Sequence, residues 1–592
     1  MHLGNFTKKM NSKNTCLVTT SFEKTWGEDC PILFLGEWCK PDSKKGRWEN
    51  LNYLTVQSYC QNKEAKDKVY REARALEEEL FPYFSHVLNE YHGTSHDQRF
   101  WRILIGHWFR RFINVVINRY NEVEYCFNHH KPAYTNLVNY KLSDLISNNS
   151  YDAIWKFNDP IFNNILYGKI IKFLEKDIRI YYVNIDRDIN NNLEKISGSK
   201  LKKLTKIFLL NLNKLIPSGK YFIINSYLPR YYEAYLNISL LNFPKYKTSL
   251  PAGSDALIDD KCRGRLGVDL GIDLNQPLKA LVVKLFLELI PKCFLEGYSD
   301  LVAESKKMSW PSKPKVIFTS NNFDADDLFK VWAAHQIEFG AIYIIGQHGN
   351  NYGTHRYLNP SVDEIVADKF LTWGWSGELP SQVPALMLKN PMGIRGDYSP
   401  DGSILLIQGW EGHKIGLWDN IAEYKLCLND QKVFYEKLSN ILQKKLVIRL
   451  HSDYLRSSSN DLFFWKSINC QALIDNGNKS IAKLIASSSL VVHAYDSTGL
   501  IECLSANIPT LAFWQGGLDH LRENAIPYYE LLIYVGIVHL SPQSAANKIN
   551  ELNGSIESWW QNPEVQGARR KFCEKFARSS NHPVKELRML LK

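Results

Sequence analysis

Short apolar runs recur along the chain, and most of them end in small or charged polar residues. Uniformly apolar runs with polar ends are typical of strands that are buried on both faces of a parallel sheet. Longer stretches with charged residues at helical spacing separate the runs. The pattern therefore predicts an α/β protein, with strands at 15–20, 32–36, 316–323, 341–349, 367–375, 403–410, 446–450, 490–492 and 509–513.

One long region between the second and third of these runs is mostly helical in pattern. Residues 60–125 combine charges and apolar residues at helical spacing, and strand-like breaks in 130–310 occur only at 178–183 and 221–224. The aromatic and basic stretch WRILIGHWFRRF within this region is predicted to be a buried core helix, with a membrane-surface helix as the alternative. The region is predicted to be a large helical insertion.

A chain of 592 residues is too long for one hydrophobic core. We therefore predict two Rossmann-like domains that face a cleft, with the helical insertion in the first. The predicted segments are a first domain at 1–376 with its insertion at about 60–310, a linker at 377–402, a nucleotide-binding domain at 403–555, and C-terminal helices at 556–592 that cross back to the first domain.

Composition and charge exclude several classes of protein. The net charge of +10 is moderate and dispersed, and no nucleic-acid motif is present, so no nucleic-acid partner is expected. The 11 cysteines show no CxxC or zinc-ligand spacing, which favours reduced thiols. No signal peptide and no apolar run of about 18 residues occurs. These features predict a cytoplasmic protein that contacts the inner face of the cytoplasmic membrane at most peripherally.

The segment VVHAYDSTGLIECLSANIPTLAFW carries the first candidate site. It parses as strand, polar turn, helix and strand, and Asp496, Ser497 and Thr498 can cap the helix. A helix N-terminus at the carboxyl end of a parallel strand is an anion site. Glu502 lies on the same helix and suits sugar or ribose hydroxyls better than phosphate. The alternative is an ordinary capped turn without ligand.

A second candidate site follows the strand that ends at residue 346. His348 stands in the glycine-rich turn GQHGNNYG and can act as a general base, or as an acid on a leaving phosphate. Gln347, Asn350 and the nearby Arg356 are candidate partners for a substrate carboxylate or phosphate. The alternative is a histidine that is satisfied within its turn.

A third candidate site lies at the end of the strand 446–450. Arg449 and His451 share one face of the strand because side chains alternate, and both are donors when charged. They suit a phosphate or carboxylate. The alternative is a salt bridge between the strand end and Asp453.

The catalytic base or carboxylate is expected in the first domain. Besides His348, the candidates are Glu23 in the first polar loop and Glu37 after the second strand. A retaining double displacement needs a carboxylate nucleophile, whereas an inverting reaction needs only a base near the acceptor hydroxyl, and the sequence leaves both open. The acidic run at 324–327 is interpreted as a capped helix start, so no metal site is predicted.

Two facing Rossmann-like halves describe the GT-B fold of glycosyltransferases. The chain resembles surface-polysaccharide transferases from O-antigen clusters of Leptospira and other bacteria through TTSFEKTWG, GQHGNNYG, ADKFLTWGW and the segment 491–514. RLHSDY and DSTGLIECLSANIPT are distantly similar to motifs of bacterial Kdo- and sialyltransferases. That resemblance implies that His451, Ser497 and Thr498 contact a CMP phosphate and that Glu502 contacts its ribose. The first motif departs from the family pattern, because serine replaces the proline after histidine. The turn at His348 also resembles the His-Gly turn of wall-polyol transferases that use CDP-glycerol.

These observations predict a metal-independent GT-B glycosyltransferase of surface polysaccharide biosynthesis, such as O-antigen, lipopolysaccharide or capsule. The preferred donor is a CMP-activated ulosonic acid, either Kdo or a nonulosonic acid such as pseudaminic, legionaminic or sialic acid. The acceptor is expected to be a glycan or lipid-linked glycan, and no cofactor is expected. The alternatives are a nucleotide-diphosphate-sugar or CDP-polyol transferase, a nucleotide-sugar epimerase of GT-B shape, and a non-catalytic assembly scaffold.

Overall fold

A computed structural model describes most of the chain and contains three parallel sheets within that part. The strands are short and mostly buried, as expected when helices cover both faces of a sheet. The described residues are 14–185, 219–242, 256–265, 274–358, 360–409, 416–451, 461–514 and 516–592.

The first sheet has the strand order β3-β2-β1-β4-β5. Its order reverses between β1 and β4, which is the arrangement of a Rossmann-like sheet. The bounds are β1 Cys16–Val18, β2 Ile32–Phe34, β3 Tyr53–Thr55, β4 Tyr134–Val138 and β5 Arg179–Val183.

The second sheet has the sequential order β10-β9-β8-β7-β6. The bounds are β6 Tyr221–Ile224, β7 Val316–Thr319, β8 Ile342–Gly346, β9 Lys369–Thr372 and β10 Gln382–Pro384. Proline stands at the end of β10, which is an edge strand and therefore tolerates a residue without an N–H group.

The third sheet has the order β13-β12-β11-β14-β15-β16, the order of the dinucleotide-binding Rossmann fold. Its topological switch point lies between β11 and β14. The bounds are β11 Ser403–Ile407, β12 Leu446–Arg449, β13 Leu473–Asp475, β14 Ser488–His493, β15 Thr510–Phe513 and β16 Val538–His539.

Helices connect and cover the sheets. Their bounds are α1 Lys45–Trp48, α2 Lys63–His92, α3 Gln98–His129, α4 Ser150–Lys156, α5 Pro160–Phe173, α6 Arg230–Ser239, α7 Asp260–Arg265, α8 Pro277–Leu289, α9 Tyr298–Lys307, α10 Asp327–Glu338, α11 Val362–Val366, α12 Asn420–Lys437, α13 Asn440–Lys445, α14 Asp461–Ser467, α15 Ile481–Ala486, α16 Thr498–Ser505, α17 Ile526–Tyr534, α18 Pro542–Glu551, α19 Ile556–Trp560, α20 Pro563–Phe576 and α21 Pro583–Leu591.

The predicted α/β class with facing Rossmann-like domains is confirmed, since the second and third sheets face each other as described below. The number of sheets differs from the prediction. The strands at 15–36 share a sheet with β4 and β5 rather than with the strands after residue 316: β1 pairs with β4, and β4 pairs with β5. The strand-like breaks predicted at 178–183 and 221–224 are β5 and β6. β5 is a largely exposed edge strand, and β4, which is only partly buried, was not predicted.

The predicted linker at 377–402 also differs from the structure. Gln382–Pro384 within it forms β10, which pairs with β9. Beyond β10, Ala385, Leu386 and Leu388 are fully buried in the core of the second sheet. The prolines and glycines of this segment therefore mark turns at the rim of a domain.

The long helices α2 and α3 pack side by side and fill the core. Trp101, Trp108, Phe109 and Phe112 on α3 are fully buried, which confirms the core interpretation of WRILIGHWFRRF. Among the described residues, no helix combines the length and apolar character that a membrane span requires.

The C-terminal helix α21 contacts the second sheet. Val584, Leu587 and Leu591 share one apolar cluster with Ile223 of β6 and Phe318 of β7. Because α21 follows the third sheet in the chain, the polypeptide returns to the second sheet after completing the third.

Candidate functional site

The carboxyl ends of β8 and β14 meet in a cleft between the second and third sheets. The backbone N–H of Asn350 donates to Thr498 Oγ1 at 2.9 Å, and its amide Nδ2 donates to Asp496 Oδ1 at 2.8 Å. A side chain at Gly349 would come within 3.2 Å of Thr498 Oγ1, so glycine permits this close approach. Two of the three sites predicted from the sequence are therefore one site.

Asp496 is the centre of the contact between the two domains. Its carboxylate accepts from Tyr529 at 3.0 and 3.1 Å and interacts with His520 Nε2 at 3.2 Å, in addition to Asn350. Only 7% of its side chain is exposed. Asp496 thus holds the turn in place, and its oxygens are already occupied by protein donors.

Ser497 caps α16 as the sequence predicts. Its Oγ accepts from the backbone N–H of Leu500 at 3.1 Å and contacts His493 Nδ1 at 3.0 Å. Burial lowers the pKa of His493 to about 3, so the imidazole is neutral at pH 7. The turn therefore presents the N-terminus of α16 with Thr498, a combination that binds anions.

His348 lies two residues before Asn350, which contacts this turn, and it is supported by two residues that the sequence analysis missed. Its Nδ1 lies 3.3 Å from the Tyr352 hydroxyl, which in turn interacts with the carboxylate of Asp363 on α11. Tyr352 and Asp363 are buried. A tyrosine four residues after the histidine was the available signal, whereas Asp363 is brought in only by the fold.

The surroundings of His348 keep it available as a base. Burial lowers the pKa of His348, while the negative charges of Asp363 and Asp324 oppose that shift. Phe323 and Tyr227 lie against its ring, with centroids 5.6 and 6.1 Å away. A histidine with a lowered pKa is neutral at pH 7 and can accept a proton.

Asp324 is bound to the helical wall of the cleft. Burial would raise the pKa of Asp324, but its bidentate pair with Arg111 at 2.6 and 2.8 Å holds it well below its usual range. The N-cap of α10 is Asp326 rather than the first aspartate of the run. Asp324 is therefore a permanent negative charge near His348.

Lys389 and Glu502 bring a charged pair to the rim of the site. Lys389 Nζ lies 2.6 Å from Glu502 Oε1 and 5.2 Å from the ring centre of Tyr227. Their side chains are 34% and 40% exposed. Both groups can therefore exchange their mutual contact for a ligand, and Lys389 was not predicted from the sequence.

Gln347 and Arg356 have structural partners. Gln347 is 2% exposed, and its amide oxygen accepts from Trp373 N at 2.9 Å and Trp375 Nε1 at 2.8 Å. Arg356 Nε lies 3.4 Å from Asp67 on α2. In this conformation neither side chain is directed to a substrate.

The end of β12 supplies less than its sequence suggested. Arg449 pairs with Asp475 of the neighbouring strand β13 at 2.8 Å, and Arg449 is 13% exposed. His451 lies two residues after Arg449 and is half-buried. Ser452 and Asp453 lie outside the described residues. The salt bridge considered as an alternative thus forms with a different aspartate.

The carboxylates Glu23 and Glu37 begin short 3₁₀ turns after β1 and β2 of the first sheet, and both have cationic partners. Glu23 pairs with Lys44 at 2.8 Å and with Arg47. Burial would raise the pKa of Glu37, but Lys425 of α12 and Lys40 lower it. No contact in the described part of the chain joins either glutamate to His348.

Comparison with known families identifies the chain. The model of the LIC12162 family transferases matches residues 15–591. The chain belongs to the LIC12162 family of transferases. The match includes all three sheets, so this chain is a transferase, and its candidate site lies where the second and third sheets meet. No curated protein matches the sequence.

Three solved structures resemble this chain weakly. MurG of Acinetobacter baumannii is 12% identical with a TM-score of 0.33, over 63% of this chain and 99% of its own. The wall teichoic acid polymerase TagF, solved with CDPG, is 12% identical with a TM-score of 0.33, over 67% and 98%. The spinosyn rhamnosyltransferase SpnG is 13% identical with a TM-score of 0.27, over 50% and 79%. TM-scores this low carry no inference about function.

Proposed function

We propose that this transferase is a glycosyltransferase that builds a bacterial surface polysaccharide from a CMP-activated ulosonic acid, such as Kdo or a nonulosonic acid. One observation carries the proposal: the turn of His348, which Tyr352 and Asp363 support, contacts the capped turn at Asp496–Thr498 through Asn350. A base and an anion site on opposite walls of one cleft are what transfer from an activated phosphate donor requires.

The donor is proposed to bind on the domain that contains the third sheet. The N-terminus of α16 and Thr498 would hold the phosphate, and Glu502 would accept from the ribose hydroxyls. Among the cations considered in the described part of the chain, Lys389 is proposed to bind the donor carboxylate or phosphate, because its pair with Glu502 is at the rim and 34% exposed, whereas Arg449 and Arg356 pair with aspartates away from the turn. The choice of CMP rests on the resemblance of RLHSDY and DSTGLIECLSANIPT to CMP-sugar enzymes.

The proposed reaction is a direct displacement. An acceptor hydroxyl attacks the anomeric carbon, its proton passes to His348 Nε2, and the bond to the CMP phosphate oxygen breaks with its electron pair leaving on CMP. Tyr352 holds Nδ1, which fixes the tautomer that leaves Nε2 free. Neither carboxylate that interacts with His348 is proposed as a nucleophile, because Asp324 pairs with Arg111 and Asp363 is only 1% exposed.

The acceptor is proposed to be a glycan or lipid-linked glycan that enters the cleft from the side of Tyr227 and Phe323. These rings flank His348, and aromatic rings suit the apolar faces of sugars. A lipid-linked acceptor would place the enzyme at the inner face of the cytoplasmic membrane as a peripheral protein. Transfer is proposed to be metal-independent, with the helix N-terminus and Lys389 as the anion partners.

The first experiment measures thermal stabilisation by CMP, CDP, UDP, GDP and ADP without added metal. A ligand at about 100 times its dissociation constant adds roughly 2.7 kcal/mol to stability. Stabilisation by CMP that is lost in Thr498→Val supports the donor assignment. A preference for a diphosphate would instead move the enzyme to nucleotide-diphosphate-sugar or CDP-polyol transfer.

The second experiment follows cleavage of CMP-Kdo and of CMP-nonulosonic acids with and without a glycan acceptor. His348→Ala is expected to lower kcat by about 10²–10⁴-fold, whereas His86→Ala on the exposed face of α2 serves as the matched control. Conversion of donor without acceptor would indicate an epimerase. Unchanged cellular glycan in folded His348→Ala would leave only the scaffold hypothesis.

A further inference from the structure

We propose that His96, His335 and Glu338 form a zinc site that joins the long helix α3 to helix α10, which packs on the second sheet. One ligand atom from each residue lies within 4.8 Å of the other two. Around tetrahedral zinc, with bonds of about 2.0–2.2 Å, ligand atoms are roughly 3.3–3.5 Å apart. Small side-chain rotations therefore bring the three donors to zinc distances.

The ligands come from helix α10 and from the loop residue just before α3, and these two helices pack against each other. His335 and Glu338 occupy positions i and i+3 on the last turn of α10, so they share one face of that helix. His96 directly precedes Asp97, the N-cap of α3. The site thus lies between a helix of the second sheet and one of the long core helices.

Neighbouring side chains hold both imidazole rings. Phe100 stacks on His96 with ring centres 3.7 Å apart and meets His335 edge-on at 4.9 Å. His96 Nδ1 lies 2.8 Å from Glu338 Oε2, and its other nitrogen, Nε2, lies 3.2 Å from the Tyr298 hydroxyl. A ring with one nitrogen on the ligand side and the other on a polar partner is the usual arrangement of a metal-bound histidine.

His335 provides an independent observation. Its Nε2 is buried and has no hydrogen-bond partner among the described residues. Burying a polar atom without a partner is unfavourable by about 1–3 kcal/mol, so the atom calls for an explanation. A metal ion bound at Nε2 provides the missing partner.

Two imidazoles and one carboxylate are a ligand set that zinc favours, and water can take the fourth position. The Glu338 side chain is 25% exposed, which leaves a path for the ion. His335 lies eight residues along α10 from Asp327, or roughly 12 Å from the end of the helix that borders the cleft. The site is therefore separate from the cleft, and it does not depend on the proposed function.

The test loads tag-free, full-length protein with Zn²⁺, removes the excess by gel filtration, and measures bound zinc. We expect about one zinc per chain, as for a single site. His335→Gln and Glu338→Gln are expected to lose it, while His86→Gln, an exposed histidine on α2, retains it. Tyr298→Phe keeps all three ligands and should weaken binding by about 10–100-fold through loss of the outer hydrogen bond.

A cobalt titration of the unaltered protein keeps the test valid if a ligand variant does not fold. Co²⁺ bound by two imidazoles and a carboxylate gives visible absorption bands typical of tetrahedral coordination, and Zn²⁺ should displace it. Absence of these bands, or equal zinc content in His335→Gln and His86→Gln, would overturn the proposal.

Discussion

We expect the turn that carries Ser497 to loosen in acid because His493 beneath it is buried in its neutral form. Burial lowers the pKa of His493 from 6.5 to about 3. Between these values the unfolded state binds more protons than the folded state. The contribution of His493 is therefore unperturbed above pH 6.5, and stability is lost progressively as the pH falls below that value.

The size of the effect follows from the pKa shift. Each pH unit below 6.5 costs about 1.4 kcal/mol for one group. At pH 5.0 the loss is therefore roughly 2 kcal/mol, or about a 30-fold change in the opening equilibrium, with an upper limit near 5 kcal/mol below pH 3. Other buried histidines, such as His107, add their own contributions, so the effect of His493 must be isolated by substitution.

The measurement is hydrogen exchange of peptides that cover β14 and α16, at pH 7.5 and 5.0, in the natural protein and in His493→Gln. Local exchange avoids the assumption that a chain with several domains unfolds in one step. After correction for the intrinsic exchange rate, the natural protein should lose about 30-fold more protection than the variant. His86→Gln, which removes an exposed histidine, should behave like the natural protein.

Equal loss of protection in the natural protein and His493→Gln, within about threefold, would refute the reasoning, since a 2 kcal/mol effect exceeds that margin. Such a result would mean that His493 is protonated without opening of the turn. Its buried Nε2 would then have a partner that the contacts described above do not include.

Three further predictions concern the site and the core. Tyr352→Phe should lower kcat by about tenfold with donor KM unchanged, and a rise in KM alone would exclude positioning of His348. Lys389→Ala should raise donor KM by about tenfold in initial-rate assays; an unchanged KM would remove Lys389 from the donor site. Trp101→Ala should destabilise the protein by about 3–5 kcal/mol, seen as a lower thermal midpoint, whereas an unchanged midpoint would contradict core packing of α3.

The sequence predicted the parts of this fold that carry a local signal. The buried strands β11, β12, β14 and β15 are apolar runs of the expected length, and Ser497 caps α16 as its position predicts. Each feature depends on residues adjacent in the chain, so the pattern alone was sufficient.

Tertiary structure alone decided which residues share the site. The separation of the first sheet from the second, with β1 paired to β4, depends on contacts between distant segments. The sequence marked β5 only as a strand-like break and gave no sign of β4. Arg449 met Asp475 on a neighbouring strand, and His348 gained Asp363 from a helix 15 residues further along the chain. Residue types near a strand end specify what chemistry is available, but burial and partners, which only the packed fold provides, determine which groups remain free to perform it.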